Sequence, residues 1–216
     1  MATERPIAVF GAGGLAREVE YLIHRINRVQ PTWDFVGYVV SDPSKAGPYD
    51  SADLIVGDEQ WLIDHDDVAV VIGIGTPVHR VRVGARLQEH LSDDRLPVLV
   101  DPSAVYDERS CTFEPGSVVT AGNVFTVNVR LERFAFVNLD CTIGHEATVG
   151  VGSVLNPSVN LSGGVNIGQG VLVGTGAQVL QYLSLGDGCT IGAGAVVTKD
   201  VPADALAVGV PARVRG

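Results

Sequence analysis

A six-residue period in the second half of the chain constrains its fold more than any other feature. Every sixth residue from Phe113 to Val197 is apolar, which makes fifteen positions without a break. About half of all residues are apolar, so chance would give such a run with odds of roughly one in tens of thousands. The period matches neither an α-helix nor a hairpin meander, and the strands of a β-sandwich would not keep this register over so long a stretch.

Small residues and glycines accompany these apolar positions. Small side chains often stand two residues before them, as at Ser117, Ala135, Cys141, Ala147, Ser153, Ala177, Cys189 and Ala195. Glycine often follows them directly, as at Gly144, Gly150, Gly168, Gly174, Gly186 and Gly192. The pattern predicts a triangular β-solenoid in which aliphatic side chains point inward and glycine permits the corner. Three hexads make one coil, so we expect residues 18 apart to stack, over about five coils.

The first half predicts a different domain. Short apolar runs that predict strands occur at Ile7–Phe10, Phe35–Val40, Val68–Ile74 and Leu96–Val100. Helical patterns lie between them, through Val19 to Ile26, at Gln60–Ile63 and at His79–Leu91. This alternation predicts a parallel sheet with room for one mononucleotide-binding half. Residues 104–216 hold 17 of the 26 glycines. We therefore predict an α/β Rossmann-like domain at 1–103 and an all-β solenoid at 104–216.

Charge and cysteine usage exclude several classes of protein. A net charge of −10 without a basic run argues against binding to nucleic acid or an anionic membrane. No apolar stretch is long enough for a transmembrane helix, and Met1–Pro6 leads straight into a strand, so no secretory signal is expected. Cys111, Cys141 and Cys189 are odd in number and lack metal spacing. We expect reduced thiols in a cytoplasm rather than disulfides or a zinc ribbon.

A glycine-rich loop opens the chain's first helix. Gly11–Ala16 fits the pattern G-x-G-x-x-A between a strand and a helix. Such a loop lets a phosphate approach backbone N–H groups at the helix N-terminus. Asp42 at the end of the second strand favours NAD, but the domain is too short for the second half of a dinucleotide site.

His145 is the only histidine of the second half and follows Ile143 and Gly144 on a turn. A histidine there is either a general base, since imidazole exchanges protons near neutral pH, or a solvated surface residue. The other four histidines have no metal spacing, so no metal site is predicted. A solenoid carbonic anhydrase would need three histidines, which His145 could supply only through three copies on one axis.

Three segments together resemble a known family. They are Gly11-Ala-Gly-Gly-Leu-Ala-Arg-Glu-Val19, Ile143-Gly-His-Glu146 and the ending Val208-Gly-Val-Pro-Ala-Arg213. Over essentially the whole chain the sequence resembles hexapeptide-repeat acyltransferases, in particular sialic acid O-acetyltransferases and bacillosamine-type sugar N-acetyltransferases. The resemblance implies a left-handed parallel β-helix, acetyl-CoA as cosubstrate, and a homotrimer with its sites between adjacent solenoids.

The resemblance also implies roles for single residues. His145 would be the general base, and Glu146 would raise its basicity. Apart from the resemblance, the position of Asn138 seven residues before His145 allows two interpretations: a structural ladder with Asn156, 18 residues later, or a residue that orients the substrate or the histidine. Acetyl-CoA contacts are implied at Gly163, Thr175 and Ala193, and contacts to a nucleotide-activated sugar at Gly13, Gly14, Leu15, Ser41, Asp42 and Gly75. The chain departs from the family at Val154, near which the family carries a second histidine, and at Ser41-Asp42, where two aspartates are common.

The stacking of residues 18 apart also predicts which residues lie beside His145. Gly163 comes 18 residues after His145 and is followed by Gly164. We expect these two glycines to leave a hollow beside the imidazole that holds a thioester and allows acyl groups longer than acetyl. The resemblance thus implies direct acetyl transfer from acetyl-CoA to a nucleotide-linked amino sugar. A sugar hydroxyl as acceptor and a noncatalytic sugar-nucleotide-binding scaffold are the alternatives.

Overall fold

The computed structural model describes residues 4–42 and 52–215. The first residues of Met1–Pro6 and the outer ends of both predicted domains therefore lie outside the described residues. No helix within the described ranges has the length and apolar character needed to cross a bilayer.

The amino-terminal part is a four-stranded parallel sheet with helices. Its strands are β1 (Arg5–Phe10), β2 (Trp33–Val39), β3 (Ile55–Gly57) and β4 (Ala69–Ile72), in the order β3-β2-β1-β4. Its helices are α1 (Gly14–Val29), α2 (Glu59–Asp64) and α3 (Pro77–His90), with short 3₁₀ turns at Ala52–Leu54 and Asp93–Arg95. The predicted alternation and parallel pairing are confirmed, whereas β3 was not expected because it is a short edge strand of three half-buried residues.

The last strand predicted for the first half pairs elsewhere. Strand β5 (Leu99–Val100) lies beside Val118 and Val119 of the solenoid rather than in the four-stranded sheet. The N–H of Leu99 donates to Ser117 O, and the N–H of Asp101, just after β5, donates to Val119 O. The first coil otherwise exposes a free strand edge, and β5 fills it. The six-residue period could not indicate this because it begins only at Phe113.

The solenoid has three parallel sheets, each with five hexad strands. The first sheet contains β7 (Val118–Val119), β10 (Phe136–Val137), β13 (Val154–Leu155), β16 (Leu172–Val173) and β19 (Thr190–Ile191). The second contains β8 (Val124–Phe125), β11 (Thr142–Ile143), β14 (Asn160–Leu161), β17 (Gln178–Val179) and β20 (Val196–Val197). The third contains β6 (Thr112–Phe113), β9 (Arg130–Leu131), β12 (Thr148–Val149), β15 (Asn166–Ile167) and β18 (Ser184–Leu185).

The predicted stacking of residues 18 apart is confirmed by strand register. Phe136 pairs with Val154, and Thr142 pairs with Asn160. The first sheet also carries β5 at one end and β21 (Leu206–Val208) with the antiparallel β22 (Arg213–Arg215) at the other. We call the turns from the first to the second sheet the first edge, those from the second to the third sheet the second edge, and those from the third back to the first sheet the third edge.

The predicted core positions are filled as expected. All the period residues from Val119 to Val197 are buried, and Phe113 is half-buried at the end of the stack. Burial raises the pKa of the Cys141 thiol to about 12 and that of Cys189 to about 11, so both stay protonated at neutral pH. All three cysteines are free thiols, and these two act as small apolar core residues.

The left-handed corners differ in position from the prediction. A positive φ occurs three residues after each period residue from Phe113 to Ile191, at Gly116, Gly122, Asn128, Phe134, Asp140, Glu146, Gly152, Ser158, Gly164, Gly170, Gly176, Tyr182, Gly188 and Gly194. The prediction that glycine directly after the aliphatic residue makes the corner is therefore wrong. Gly144 serves close approach instead, since a Cβ there would lie 2.5 Å from Gly163 N of the next coil.

The outward side chains determine which sheet the first domain covers. On the first sheet these are the buried Val118, Phe136 and Val154, which pack with α1 residues in one apolar cluster. On the other two sheets the outward positions are mostly polar, as at Thr142, Asn160, Gln178, Arg130, Thr148 and Asn166. Val154, at which the sequence departs from the resembled family, is thus a packing residue beneath the first domain.

A buried arginine joins the two domains. Arg80 on α3 is fully buried, and its Nη1 donates to Ile72 O at 2.6 Å and to Ile74 O at 3.1 Å. Its Nε donates to Phe134 O on the third edge of the solenoid. Burial lowers the pKa of Arg80 to about 9, which still leaves a cation at neutral pH. The Phe134 ring fills the space that side chains at Gly84 and Gly116 would need.

We predict that Arg80→Met lowers the free energy of unfolding by about 3 kcal/mol, because buried carbonyl oxygens lose a charged donor. Arg82→Met is the control, since Arg82 lies on the same helix but is exposed. Urea unfolding measures both variants. Equal stability of the two variants would contradict the role assigned to Arg80.

Candidate active site

His145 and Glu146 form a pair on the second edge, directly after β11. The Nδ1 atom of His145 lies 3.1 Å from Oε2 of Glu146, and about half of each side chain is exposed. Glu146 adopts a left-handed φ of 61°, and its N–H donates to Val127 O. Because a carboxylate only accepts hydrogen bonds, this contact favours the proton on Nδ1 and leaves the Nε2 lone pair available.

Gly163 lies against the imidazole, as the stacking predicted, but the ring fills the space above the glycine. A Cβ at Gly163 would overlap Cε1 and Nε2 of His145. The imidazole itself therefore occupies the space that the missing side chain leaves. The expectation of an open hollow is wrong because a histidine side chain is long enough to reach the next coil.

Gly164 is also covered by a ring. A Cβ there would overlap the ring of Tyr182, which lies two coils beyond Glu146 on the same edge. The structure thus places Tyr182 close to the base, and sequence reasoning missed this residue. The stacking of residues 18 apart could have revealed it, because Tyr182 follows Glu146 by twice 18 residues.

The other two residues implied for acetyl-CoA lie on a different edge. Thr175 follows β16 and Ala193 follows β19, so both stand on the first edge and both are exposed. Gly163 and His145 stand on the second edge, one sheet width away. One chain therefore does not bring all the implied acetyl-CoA contacts together.

Asn138 also lies on the first edge, where it lines a cavity of about 130 Å³. Helix α1 contributes Tyr21 and Arg25 to this cavity, and the solenoid contributes Asn138 and Leu139. Asn138 is nearly buried, and its Oδ1 accepts a hydrogen bond from Leu139 N at 2.8 Å. The structure thus separates Asn138 from His145 of the same chain.

An ion pair closes one side of this cavity. Arg25 Nη2 donates to Asp101 Oδ1 at 3.0 Å, and Ser103 N donates to the same carboxylate at 2.8 Å. Burial raises the pKa of Asp101, but hydrogen bonds from Arg25 and Ser103 outweigh it and hold the pKa below its usual range. The carboxylate thus stays ionised and fixes α1 to the first coil.

The residues implied for the nucleotide sugar meet at the carboxyl end of the four-stranded sheet. Gly13 and Gly14 begin α1, which has no side-chain cap and no acidic residue in its first turn. A Cβ at Gly75 would lie 3.3 Å from Leu15 Cδ2, so these two residues are neighbours. Ser41 and Asp42 follow β2 at the same end, and Arg86 Nη2 lies 3.5 Å from Ser41 Oγ.

The geometry of this loop suits a phosphate. Gly11 N donates to Val39 O and Gly73 N donates to Phe10 O, which holds the loop onto the ends of the strands. A Cβ at Gly73 would lie 2.7 Å from the backbone of Ala16. Free N–H groups at an uncapped helix N-terminus attract anions. Within the described ranges no cluster of three or more potential metal-binding side chains occurs.

Comparison with known proteins agrees with this architecture. Residues 164–199 match the family model of the bacterial transferase hexapeptide (six repeats). A putative acetyltransferase of Schizosaccharomyces pombe is 35% identical over 130 residues, which are 50% of this chain and 61% of that protein. The chain thus spans less than two thirds of that curated relative.

Solved structures match over the whole chain. PerB from Caulobacter crescentus, in complex with CoA and GDP-perosamine, is 27% identical with a TM-score of 0.83, over 100% of this chain and 99% of that one. The acetyltransferase domain of PglB from Neisseria gonorrhoeae is 27% identical with a TM-score of 0.83, over 98% and 100%. A second structure of that domain contains acetyl coenzyme A. These matches confirm the predicted fold class and the resemblance to hexapeptide-repeat sugar acetyltransferases.

Proposed function

We propose that this chain transfers an acetyl group from acetyl-CoA to the amine of a nucleotide-linked amino sugar. The observation that carries the proposal is the His145–Glu146 pair, whose imidazole Nε2 lies against Gly163 on a hexapeptide solenoid. The similar PerB binds CoA and GDP-perosamine, and a relative described as perosamine N-acetyltransferase binds both in a histidine variant. Acetyltransferases among the relatives support the same reaction class.

The proposed reaction is a direct transfer. The amine nitrogen attacks the thioester carbonyl carbon while Nε2 of His145 takes a proton from that nitrogen. Glu146 stabilises the imidazolium as it forms. The tetrahedral intermediate then breaks its C–S bond, and the CoA thiolate receives the proton from the imidazolium. A backbone N–H such as that of Gly163 would stabilise the negative oxygen.

We assign the substrate contacts as the resemblance implies. Gly13, Gly14 and Leu15 would hold the diphosphate, with Ser41, Asp42 and Gly75 beside the nucleoside. The uncapped start of α1 supports this assignment. Thr175 and Ala193 would contact acetyl-CoA from the first edge, and Asn138 would face the sugar from the cavity beside α1.

The placement of these residues supports a homotrimer. His145 and Thr175 lie on different edges of one prism, so a shared site needs the second edge of one copy beside the first edge of another. Exposed apolar side chains surround the second sheet between these edges, at Val105, Val124, Val127, Leu139, Leu180 and Tyr182. Exposed apolar surface of this kind is typical of an interface.

The location of the protein in the cytoplasm stays a prediction.

Substrate turnover tests the proposal first. The protein is incubated with acetyl-CoA and UDP-, dTDP-, GDP- and CMP-linked sugars, including 4-amino sugars, while a thiol reagent follows CoA release. We predict that His145→Ala lowers kcat about 100-fold or more and leaves CoA binding intact. His79→Ala, an exposed histidine on α3, is the control. Wild-type protein that neither binds CoA nor releases it would refute the proposal.

The phosphate site has a test in which stability and binding move in opposite directions. We predict that Gly14→Asp stabilises the fold slightly, because a carboxylate at a helix N-terminus is favourable by about 0.3–1 kcal/mol. The same carboxylate should raise KM for the nucleotide sugar about tenfold or more through repulsion of the diphosphate. Gly14→Ala is the uncharged control. An unchanged KM for the nucleotide sugar in Gly14→Asp would place the diphosphate elsewhere.

Sedimentation equilibrium tests the assembly. We expect three times the 22.7 kDa mass of the chain. Val124→Glu should reduce this mass, since Val124 is exposed on the second sheet. Asn166→Glu, at an exposed outward position on the third sheet, is the control. A monomer mass for the wild type would contradict the trimer.

A further inference from the structure

Two rings fill the space that the consecutive glycines leave on the second edge. The His145 ring covers Gly163, and the Tyr182 ring covers Gly164. Both rings therefore lie on the same turn, one reaching it from the coil before and the other from the coil after. The sequence predicted open space at this turn, sufficient for acyl groups longer than acetyl, and the structure fills it with side chains.

Tyr182 has a hydrogen-bonded, left-handed backbone that directs its side chain towards Gly164. Its N–H donates to Gly163 O at 2.9 Å, and its φ of 59° turns the side chain back over Gly164. The side chain is 70% exposed on the edge. A tyrosine in the left-handed region costs about 1–2 kcal/mol relative to glycine. Eight of the fourteen left-handed hexad corners carry glycine, so glycine would suit this corner too.

We propose that Tyr182 limits the acyl group to acetyl, an inference that rests on the proposed function. The acyl carbonyl must lie near His145 Nε2, because this atom takes the proton of the attacking group. Nε2 lies against Gly163, so the acyl methyl is placed at the turn that Tyr182 closes. The Tyr182 ring beside Gly164 would then accept a methyl group and collide with each further methylene.

The volume of the ring, not its hydroxyl, sets this limit. Tyr182→Phe keeps the ring and is expected to keep the preference of the wild type. Tyr182→Gly opens the turn and is compatible with the left-handed backbone. Ser158→Gly is a matched control, because Ser158 has a φ of 60° at a corner of the first edge and gains the same backbone freedom.

The test compares acetyl-CoA with propionyl-CoA and butyryl-CoA at a fixed acceptor. We expect Tyr182→Gly to raise the ratio of kcat/KM for propionyl-CoA to that for acetyl-CoA about tenfold or more, since one methylene in a pocket changes kcat/KM by roughly 10–200-fold. Isothermal titration with the two acyl-CoA compounds gives a second readout that needs no turnover. Circular dichroism checks that each variant is folded.

The outcomes separate this inference from the proposed function. An unchanged ratio in Tyr182→Gly, in turnover and in binding, overturns the inference while acetyl transfer by the wild type still supports the function. A ratio that rises equally in Tyr182→Phe or in Ser158→Gly also overturns it. Absence of acyl-CoA binding in the wild type refutes the proposed function, and the inference falls with it.

Discussion

Hydrogen-bonded stacking of residues 18 apart is the constraint on which the rest of the structure depends. Each coil can close only if its aliphatic residues point inward and its corners turn at the same position in every hexad. Any side chain that reaches beyond its own coil then meets the residue 18 positions away. The contact of His145 with Gly163 and that of Tyr182 with Gly164 are both consequences of this register.

The solenoid alone does not position the first domain. The apolar outward residues of the first sheet provide a surface for α1, while Arg80 fixes the direction of α3 by binding carbonyl oxygens from both domains. A buried cation whose donors face carbonyl oxygens tolerates little displacement. The loop at the start of α1 is therefore held in a fixed position relative to the edges of the solenoid.

The sequence predicted the repeating part of the fold because repetition is a local signal. The period gave the inward residues, the stacking and the neighbourhood of His145. The expected open space beside His145 was wrong, because the period predicts where the backbone lies and not how far a long side chain reaches. The contacts of Arg80 and Phe134 and the pairing of β5 with the solenoid were missed for a related reason. Each depends on a single contact between distant segments that no periodic pattern records.

The residue types at the fourteen left-handed corners of the solenoid fall into two groups. Glycine occupies eight of them, and the other six carry Asn128, Phe134, Asp140, Glu146, Ser158 and Tyr182. Among these exceptions are the ring at the domain joint, the carboxylate beside the imidazole and the ring above Gly164. At the exposed Glu146 and Tyr182, glycine would relax the left-handed backbone, whereas the buried ring of Phe134 fills space at the domain joint. At Glu146 and Tyr182 the proposed function and the stability of the backbone therefore favour different residues.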